Sequence, residues 1–588
     1  MSWLHKTLRY SLWLGLIAPL YAGCGSGTGA SGDDAPKADG DSTGAPNGPT
    51  STAKDAGTGS SGAKAPATTA PVDDLPAEVE LPLSFETPQA GRTSVYVPNP
   101  TANRVAVVNA GTFNIENLPI GGTPTFAATV PGVDLALVLN VGSRDAALLR
   151  TNAQGQTTAK QLAVGHDANA IAMAPDGKHA IIYRNASATG STVVGQSFQD
   201  LTIVDLTENA EKSTHVSVGF RPRGVQFSRD GSHAFVITED GISVLDFAAL
   251  ATGPSIARLV PVGDSLTDGQ SIDVQVTPDG QYALARREGD STLRLVNLTD
   301  GSIQKLALGN LSFPAPSTGD AGVLDAGASD AGGSDAGADG GVGAQVALTD
   351  LDLAPDGTFA IAVLRDHGAL VRIPLPQGFA DPTKLSVRIV SDQLIGSVTL
   401  SKSGTRAVAF TTVAQVDSIV VVDLTSDAAP RGIRLRKSVR AVALTDDGAR
   451  ALVLHDTVGN INTATDEDSR IAASQGYSLV DTSSGFAKLQ LTAAQVSERG
   501  LLLTPDGLRV FALLGNASVN AVEMADLQSF QVSSVALSTA PTSIGLVPGL
   551  ARVFVGQANE GGITFLDATT GTKIRSVSGF EIASRIRQ

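Results

Sequence analysis

From about residue 77 onward, the chain repeats one arrangement: an apolar run, a short polar turn that contains glycine, and a second apolar run. Clear copies are AIAMAPDGKHAIIY from Ala170, DVQVTPDGQYALAR from Asp273 and GLLLTPDGLRVFAL from Gly500. Short apolar runs bounded by such turns are typical of buried strands joined in a hairpin. The pattern therefore predicts a β-hairpin that recurs along most of the chain.

The chemistry of the turn agrees with this prediction. Proline presets φ at the first turn position, aspartate hydrogen-bonds to nearby backbone, and glycine accepts a positive φ. We therefore interpret the turn glycines as structural residues. The best defined are Gly177, Gly231, Gly280, Gly357, Gly404, Gly448 and Gly507, and weaker copies centre on Gly91, Gly132 and Gly549.

Each hairpin is followed by two more short strands, and the first of them often ends in aspartate, as in LTIVDL from Leu201 and SIVVVDL from Ser418. Four strands in about 45 residues match one blade of a β-propeller. The sequence thus predicts an all-β fold, a single large propeller of four-stranded blades over residues 77–588. It has about ten repeat units, so we expect eight to ten blades. A further hypothesis is that Phe580–Gln588 pairs with the N-terminal unit and closes the ring.

One unit resembles a known family. Tyr96-Val97-Pro98-Asn99 matches three of the four letters of Tyr-Val-Thr-Asn, and the unit resembles the YVTN family of propeller repeats. Later copies, to about residue 580, keep the apolar pattern without those letters. The resemblance implies a propeller but no particular activity, because propellers host many functions. A Trp-Asp repeat is not indicated, since Trp3 and Trp13 are the only tryptophans in the chain.

The first residues are typical of an export signal. Lys6 and Arg9 form a basic start, and Ser11–Leu20 is apolar but shorter than the roughly 20 residues that span a bilayer. The small residues before Cys24 resemble the lipobox of bacterial lipoproteins, although Tyr21 stands where that family usually has leucine. We predict a lipoprotein signal peptide over 1–23 and lipid attachment at Cys24. The alternative is a chance cysteine beside an ordinary cleavage site.

Lipidation of Cys24 implies a membrane anchor. Cys24 is the only cysteine in the chain, so no intramolecular disulfide can form. Several acyl chains on one residue exceed the two lipid signals that stable anchoring needs. Gly25 after the cysteine resembles the outer-membrane sorting pattern of Gram-negative lipoproteins. We therefore expect an outer-membrane location, facing the periplasm or the cell exterior.

Two segments have too few large apolar residues to fold by themselves. Residues 24–76 are rich in Gly, Ser, Thr, Ala, Asp and Pro, and we interpret them as a disordered tether. Residues 313–344 form a disordered acidic insert within the propeller. Its regularly spaced carboxylates, Asp320, Asp325, Asp330, Asp335 and Asp339, allow two readings. Weak calcium binding is one, and a solvated acidic loop is the interpretation we prefer, because the closing Glu of a calcium loop is missing.

No catalytic, cofactor or metal motif is present. Apart from His5, the histidines are His166, His179, His215, His233, His367 and His455, and none forms a ligand pair such as HxH or HExxH. His179 and His233 follow the turn and start a strand, whereas His166, His367 and His455 are predicted in loops. No helical segment is predicted. The net charge of −16 repels phosphate backbones, so we exclude nucleic acid as a partner.

Two stretches concentrate positive charge: Arg286-Arg287-Glu288, and RGIRLRKSVR from Arg431 to Arg440. For both stretches, we first interpret the charged side chains as solvated surface groups. The second stretch has an alternative role as a contact face for an anionic partner.

Three functional hypotheses follow. We predict a membrane-anchored cell-envelope lipoprotein whose monomeric propeller is a non-catalytic binding or scaffold module for an unknown protein or other envelope partner. The alternatives are a propeller enzyme, such as a lactonase-type hydrolase or a quinone dehydrogenase, and a surface adhesin. The near absence of tryptophan argues against a quinone site and against a sugar-binding propeller, since both usually stack ligands on aromatic rings.

Overall fold

The computed structural model describes residues 90–578, apart from 131, 166, 186–197, 252–255, 264–272, 288–289, 312–347, 391–392, 516–518 and 558–561. The segments predicted as signal peptide, tether and acidic insert lie outside the described residues, as do Cys24 and the segment Phe580–Gln588.

The described residues form ten antiparallel sheets that follow one another along the chain as the blades of a propeller. Blade 1 contributes three described strands, and each later blade contributes four. The all-β propeller is thus confirmed, and the ring has ten blades. This is more than the four to eight blades of most propellers.

Blades 1 to 5 contain β1 (Ser94–Asn99), β2 (Arg104–Asn109), β3 (Ile115–Pro119), β4 (Pro124–Thr129), β5 (Leu135–Asn140), β6 (Asp145–Thr151), β7 (Thr157–Ala163), β8 (Ala170–Met173), β9 (His179–Tyr183), β10 (Asp200–Asp205), β11 (Lys212–Ser217), β12 (Gly224–Phe227), β13 (His233–Ile237), β14 (Ile242–Asp246), β15 (Arg258–Val260), β16 (Asp273–Val276), β17 (Tyr282–Arg286), β18 (Thr292–Asn297) and β19 (Ile303–Ala307).

Blades 6 to 10 contain β20 (Leu348–Leu353), β21 (Phe359–Leu364), β22 (Ala369–Pro374), β23 (Ser386–Ile389), β24 (Ser397–Leu400), β25 (Arg406–Phe410), β26 (Ser418–Asp423), β27 (Arg431–Arg434), β28 (Val439–Leu444), β29 (Arg450–His455), β30 (Gln475–Asp481), β31 (Ala487–Thr492), β32 (Val496–Leu503), β33 (Arg509–Gly515), β34 (Asn520–Asp526), β35 (Val532–Ala536), β36 (Pro541–Val547), β37 (Arg552–Gln557), β38 (Gly562–Asp567) and β39 (Lys573–Val577).

The hydrophobic core lies between the faces of neighbouring blades. The first three strands of a blade are apolar on both faces because both faces are covered, which explains why their sequences show little alternation. The second strand of blade 6, FAIAVL, is buried at every position. The fourth strand forms the exposed rim, and β39 is exposed over most of its length.

The ring closes where blade 10 packs against blade 1. Val547 and Phe565 of the last blade share one core cluster with Val97 and Val108 of the first. The backbone N–H of Gly549 donates to the carbonyl of Arg92, 2.8 Å away. Closure therefore rests on side-chain packing and turn-to-turn hydrogen bonds. The pairing predicted for Phe580–Gln588 stays a prediction.

The two ends of the blades differ, and we name them by their connections. The turn face carries the links between first and second strands and between third and fourth strands. The loop face carries the links between second and third strands and from each fourth strand to the next blade.

Among the described residues, three short helices depart from the prediction that no segment is helical: α1 (Phe247–Leu250), α2 (Gln377–Ala380) and α3 (Glu467–Ala473). Asp246 caps α1, and a capping box of Asp466 and Ser469 starts α3. Short 3₁₀ turns span Leu308–Asn310, Arg365–His367, Pro382–Lys384 and Pro548–Leu550. These helices are too short for apolar periodicity to reveal them, but side-chain caps can satisfy their free N–H groups.

Candidate functional site

The turn face uses its polar side chains to build the hairpins. The seven glycines singled out in the sequence have φ between +67° and +78°. Asp230 is a representative turn aspartate, and it accepts hydrogen bonds from Ser228 Oγ and Ser232 N at 2.6 and 3.1 Å. Hydrogen bonds from these two serines lower the pKa of Asp230 to about 2. The turn glycines and aspartates therefore serve to form the hairpin turns.

A second repeated contact joins neighbouring blades on the same face. Asp481 ends the third strand of blade 8, where it accepts the N–H groups of the next turn and pairs with Arg450 at 3.3 Å. Arg450 also donates to the carbonyl of Leu527 in blade 9, 2.8 Å away. Arg552 repeats this contact across the closing junction, where it donates to the carbonyl of Ala110. Arginine side chains on the turn face therefore connect neighbouring blades.

The loop face differs from blade to blade. The four longest separations between consecutive described strands, after Tyr183, Val260, Ala307 and His455, all start from strand ends on this face. Such loops on a rigid scaffold are the usual location of binding residues. The candidate functional site is therefore the loop face.

The loop face of blade 8 holds a buried histidine–serine pair. His455 Nδ1 lies 3.0 Å from the carbonyl of Ser438, and Nε2 lies 2.7 Å from Ser478 Oγ. Because a carbonyl only accepts, Nδ1 carries the proton and Nε2 accepts from the serine hydroxyl. This is the geometry of a nucleophile and its base. Both residues are buried, however, and burial lowers the pKa of His455 to about 4, which makes it a weak base at neutral pH.

His455 also corrects the sequence analysis, which predicted it in a loop. It is the last residue of β29 and is 4% exposed. Only Asp456 belongs to the connection, where burial raises the pKa of its carboxyl group. When a polar residue follows an apolar run, the sequence pattern does not show whether it is the last residue of the strand or the first residue of the loop.

A buried lysine holds the helix of the same loop. Lys437 is 2% exposed, and its Nζ donates to the carbonyls of Ile471, Ala472 and Ser474 at 2.7, 2.9 and 2.8 Å. These carbonyls belong to the C-terminal end of α3, where positive charge is favoured. Burial lowers the pKa of Lys437 to about 8, so the ammonium remains the main form at neutral pH.

The basic stretch Arg431–Arg440 is divided between the two faces. Arg431 lies on the turn face and donates to the carbonyl of Thr482. Arg434 and Arg436 lie at the loop face. Arg434 Nε is 2.9 Å from Asp417, and Arg436 Nη2 lies 3.1 and 3.2 Å from Glu467 and Asp468.

Arg286, the first residue of the other charged stretch, also lies at the loop face. Arg286 Nε is 3.2 Å from the buried Asp273, and its Nη1 donates to the carbonyl of Leu348 in the next blade. In the neighbouring blade, His367 Nδ1 lies 3.1 Å from Asp366 Oδ1. Arg286 is therefore part of a blade junction as well as of the surface.

Polar residues of the first strands were missed by the sequence analysis. Gln226 bonds the backbone of the next blade's first strand through both amide atoms, at 2.7 and 3.2 Å. Gln275 repeats this bridge to blade 6. Asp350 and Asp352 accept backbone N–H groups of blade 7 at 2.7 and 3.0 Å. A polar residue inside an otherwise apolar strand is the signal that would have found them.

The other histidines do not converge. His179 stacks on Phe247 with ring centroids 4.2 Å apart, and burial lowers its pKa. His215 Nδ1 lies 3.1 Å from Thr202 Oγ1. His233 is 3.8 Å from Asp246 on the turn face. His166 lies outside the described residues.

Aromatic and basic side chains meet at the loop face between blades 3 and 4. Phe198 and Phe220 are in edge contact, and Arg184 lies 5.6 Å from the Phe198 ring. Phe220 is 43% exposed. An exposed aromatic ring beside guanidinium groups is a common composition of protein-binding surfaces.

Within the described part of the chain, no group of three or more His, Cys, Asp or Glu side chains is arranged to hold a metal ion. In the same residues, no helix is long and apolar enough to cross a membrane.

Comparison with known proteins identifies no family for the chain. No family model matches the chain, and no curated protein matches its sequence. Among solved structures, it is similar to hydrazine synthase from Kuenenia stuttgartiensis, with 16% identity over 61% of this chain and 99% of that chain and a TM-score of 0.29. It is also similar to dihydro-heme d1 dehydrogenase NirN in complex with DHE, with 13% identity over 79% of each chain and a TM-score of 0.40.

A third similar structure is a eukaryotic initiation factor, with 12% identity over 83% of this chain and 96% of that chain and a TM-score of 0.46. All three TM-scores are below 0.5. The assignment as a propeller therefore rests on the strand topology itself.

Proposed function

We propose that the protein is a cell-envelope lipoprotein whose propeller binds an envelope partner through its loop face, without catalysis. The observation that carries the proposal is the contrast between faces: the four longest separations between consecutive described strands start from strand ends on the loop face, and repeated structural contacts occupy the turn face. A rigid ring with variable loops on one side is suited to binding.

The anchor and the family belong to the same proposal. Lipid attachment at Cys24 is supported by the preceding apolar stretch and small residues, and YVTN-type repeats by Tyr96–Asn99. Replacing Cys24 with alanine is expected to move the protein from the membrane fraction to the soluble fraction. Protease treatment of intact cells then distinguishes the periplasmic from the external side. Persistent membrane association of the variant would contradict the anchor.

The binding face is tested with matched pairs of exposed apolar residues. Phe220 and Ile461 lie on the loop face and are 43% and 50% exposed, while Val133 and Phe486 lie on the turn face and are 48% and 54% exposed. Each pair is replaced by aspartate in the full chain. We expect the loop-face variant to lose the complex that native electrophoresis of solubilised envelopes detects, and the turn-face variant to keep it. Loss in both or in neither would overturn the proposal.

A lactonase-type hydrolase remains the second candidate, because His455 and Ser478 have the geometry of a base and its nucleophile. Their burial is the argument against it. Lactone hydrolysis by the full chain that falls at least a hundredfold in a His455→Gln variant, with its fold retained, would favour the enzyme. The surface-adhesin alternative requires exposure on intact cells, which the protease treatment reads directly.

A further inference from the structure

The connection from blade 7 to blade 8 places two arginines at the loop face. Arg434 is the last residue of β27, and Arg436 lies in the connection that follows. Arg436 has φ of +68°, in the left-handed region that residues other than glycine rarely adopt.

The contacts that Arg436 makes are with carboxylates of its own chain. Its Nη2 lies 3.1 Å from Glu467 Oε1 and 3.2 Å from Asp468 Oδ1, in the first turn of α3. The two carboxylate side chains are 79% and 85% exposed. Ion pairs this exposed contribute little to stability, so another carboxylate can replace them.

The other end of α3 is held much more firmly. Lys437 caps it with three hydrogen bonds to main-chain carbonyls, and Ile471 is buried against the blade. Removing a buried ammonium from such partners costs several kcal/mol. The strap formed by residues 456–474 therefore has a fixed C-terminal end at Lys437 and a weakly held stretch around Glu467.

We propose that Arg434 and Arg436 form a binding surface for an acidic peptide segment. Within the chain, Asp417 pairs with Arg434, and Glu467 and Asp468 occupy Arg436 until a partner's carboxylates replace them. The inference rests on the proposed function, since it assigns a partner chemistry to one part of the loop face. The strap acts as an autoinhibitory contact, because a partner must displace it.

The charge around the arginines favours a short acidic peptide over a phosphate polymer. A guanidinium matches a carboxylate through two parallel hydrogen bonds. The flanking acidic residues and the net charge of −16 disfavour long phosphate polymers. A short acidic peptide carries few charges and can align one or two carboxylates with the arginines, as Glu467 and Asp468 do with Arg436.

The displacement has a structural consequence. When a partner binds, the residues that precede and start α3 are released, while the end held by Lys437 stays in place. Hydrogen exchange in the full chain should therefore rise in residues 459–468 and stay unchanged in residues 471–474.

The test measures binding of an oligo-glutamate peptide to the full chain. A variant with Glu467→Gln and Asp468→Asn removes the cis carboxylates with nearly the same side-chain shape. We expect it to bind about three- to tenfold more tightly than the unmodified chain, which corresponds to the loss of one or two exposed ion pairs. Adding Arg436→Gln should abolish the gain.

The matched control is Asp427→Asn with Asp446→Asn, which removes two exposed carboxylates from ion pairs on the turn face. It should leave affinity within about twofold, because it changes net charge equally without touching the arginines. Equal affinity of the unmodified chain and the Glu467/Asp468 variant would overturn the proposal. So would a gain that survives Arg436→Gln, or an equal gain in the control.

The oligo-glutamate test and the test of the proposed function can fail independently. The native complex is read with substitutions at Phe220 and Ile461, which leave the arginines intact. Loss of that complex together with no response to oligo-glutamate would reject the acidic partner and keep the loop face as the binding face.

Discussion

The turn face and the loop face are built on the same strands, yet they use their polar residues differently. On the turn face, one set of contacts recurs from blade to blade: an aspartate completes the hairpin, and an arginine joins the next blade. On the loop face, each junction has its own side chains, and blade 8 alone combines Lys437, His455 and a helix. In a repeat protein, contacts that recur maintain the ring, and contacts that do not recur are the candidates for function.

The largest expected effect concerns the repeated turns. Gly280 has φ of +72°, and a Cβ placed there would lie 2.6 Å from Phe235 Cζ. Gly301, also on the turn face, has φ of +79° with no neighbour within 4 Å. We expect Gly280→Ala to lower the free energy of unfolding by about 3 kcal/mol and Gly301→Ala by about 1 kcal/mol, because both strain the backbone but only the first causes overlap.

Urea unfolding of the two variants, followed by circular dichroism, measures the difference. If the two substitutions lower the free energy of unfolding equally, glycine at position 280 is not required by the close contact with Phe235.

A pH dependence of similar size is expected from the loop face. Burial lowers the pKa of His455 to about 4, below the value of about 6.5 in the unfolded chain. Above pH 6.5 the imidazole is neutral in both states, so its buried hydrogen bonds are fully retained. As the pH falls from 6.5 toward 4, the unfolded chain binds the proton first, and the folded chain loses up to roughly 3 kcal/mol.

The His455→Gln variant isolates this contribution, because carboxylates titrate alike in both proteins. The variant should lose less stability than the unmodified chain between pH 7 and pH 4.5. Parallel stability curves would mean that His455 is not buried in its neutral form.

An intermediate loss of stability is expected when one arginine on the turn face is replaced, compared with one on the loop face. Arg450 bridges two blades through Leu527 and Asp481, and Arg434 makes an exposed pair with Asp417. Arg450→Met should cost about 2 kcal/mol, because a buried carbonyl loses its charged donor. Arg434→Met should cost less than about 1 kcal/mol. If thermal unfolding shows the same loss of stability for both variants, the distinction between a structural turn face and a functional loop face is wrong.

The smallest effect on stability belongs to Phe220. Its exposed ring contributes little to the core, so Phe220→Ser should change the free energy of unfolding by less than about 0.5 kcal/mol. The same substitution should weaken the native envelope complex. A stability loss above about 1 kcal/mol would assign the residue to the scaffold.

The sequence predicted the turn face better than the loop face, for a physical reason. A turn such as the one at Gly280 is local, because proline, aspartate and glycine within a few residues determine it. The bridge from Gln226 to blade 5 depends on how two distant strands align, which the sequence pattern does not contain. The helix α3 had one visible sign, the capping box at Asp466, but it is too short for periodicity to support it.

The central claim is that the loop face meets the partner and the turn face does not. Its most direct test is photo-crosslinking of the full chain in intact envelopes, with a photoreactive amino acid placed in turn at Phe220, Ile461, Val133 and Phe486, which are similarly exposed. We expect crosslinked adducts from Phe220 and Ile461 and none above background from Val133 and Phe486. Adducts of equal yield from both faces, or from the turn face alone, would contradict it.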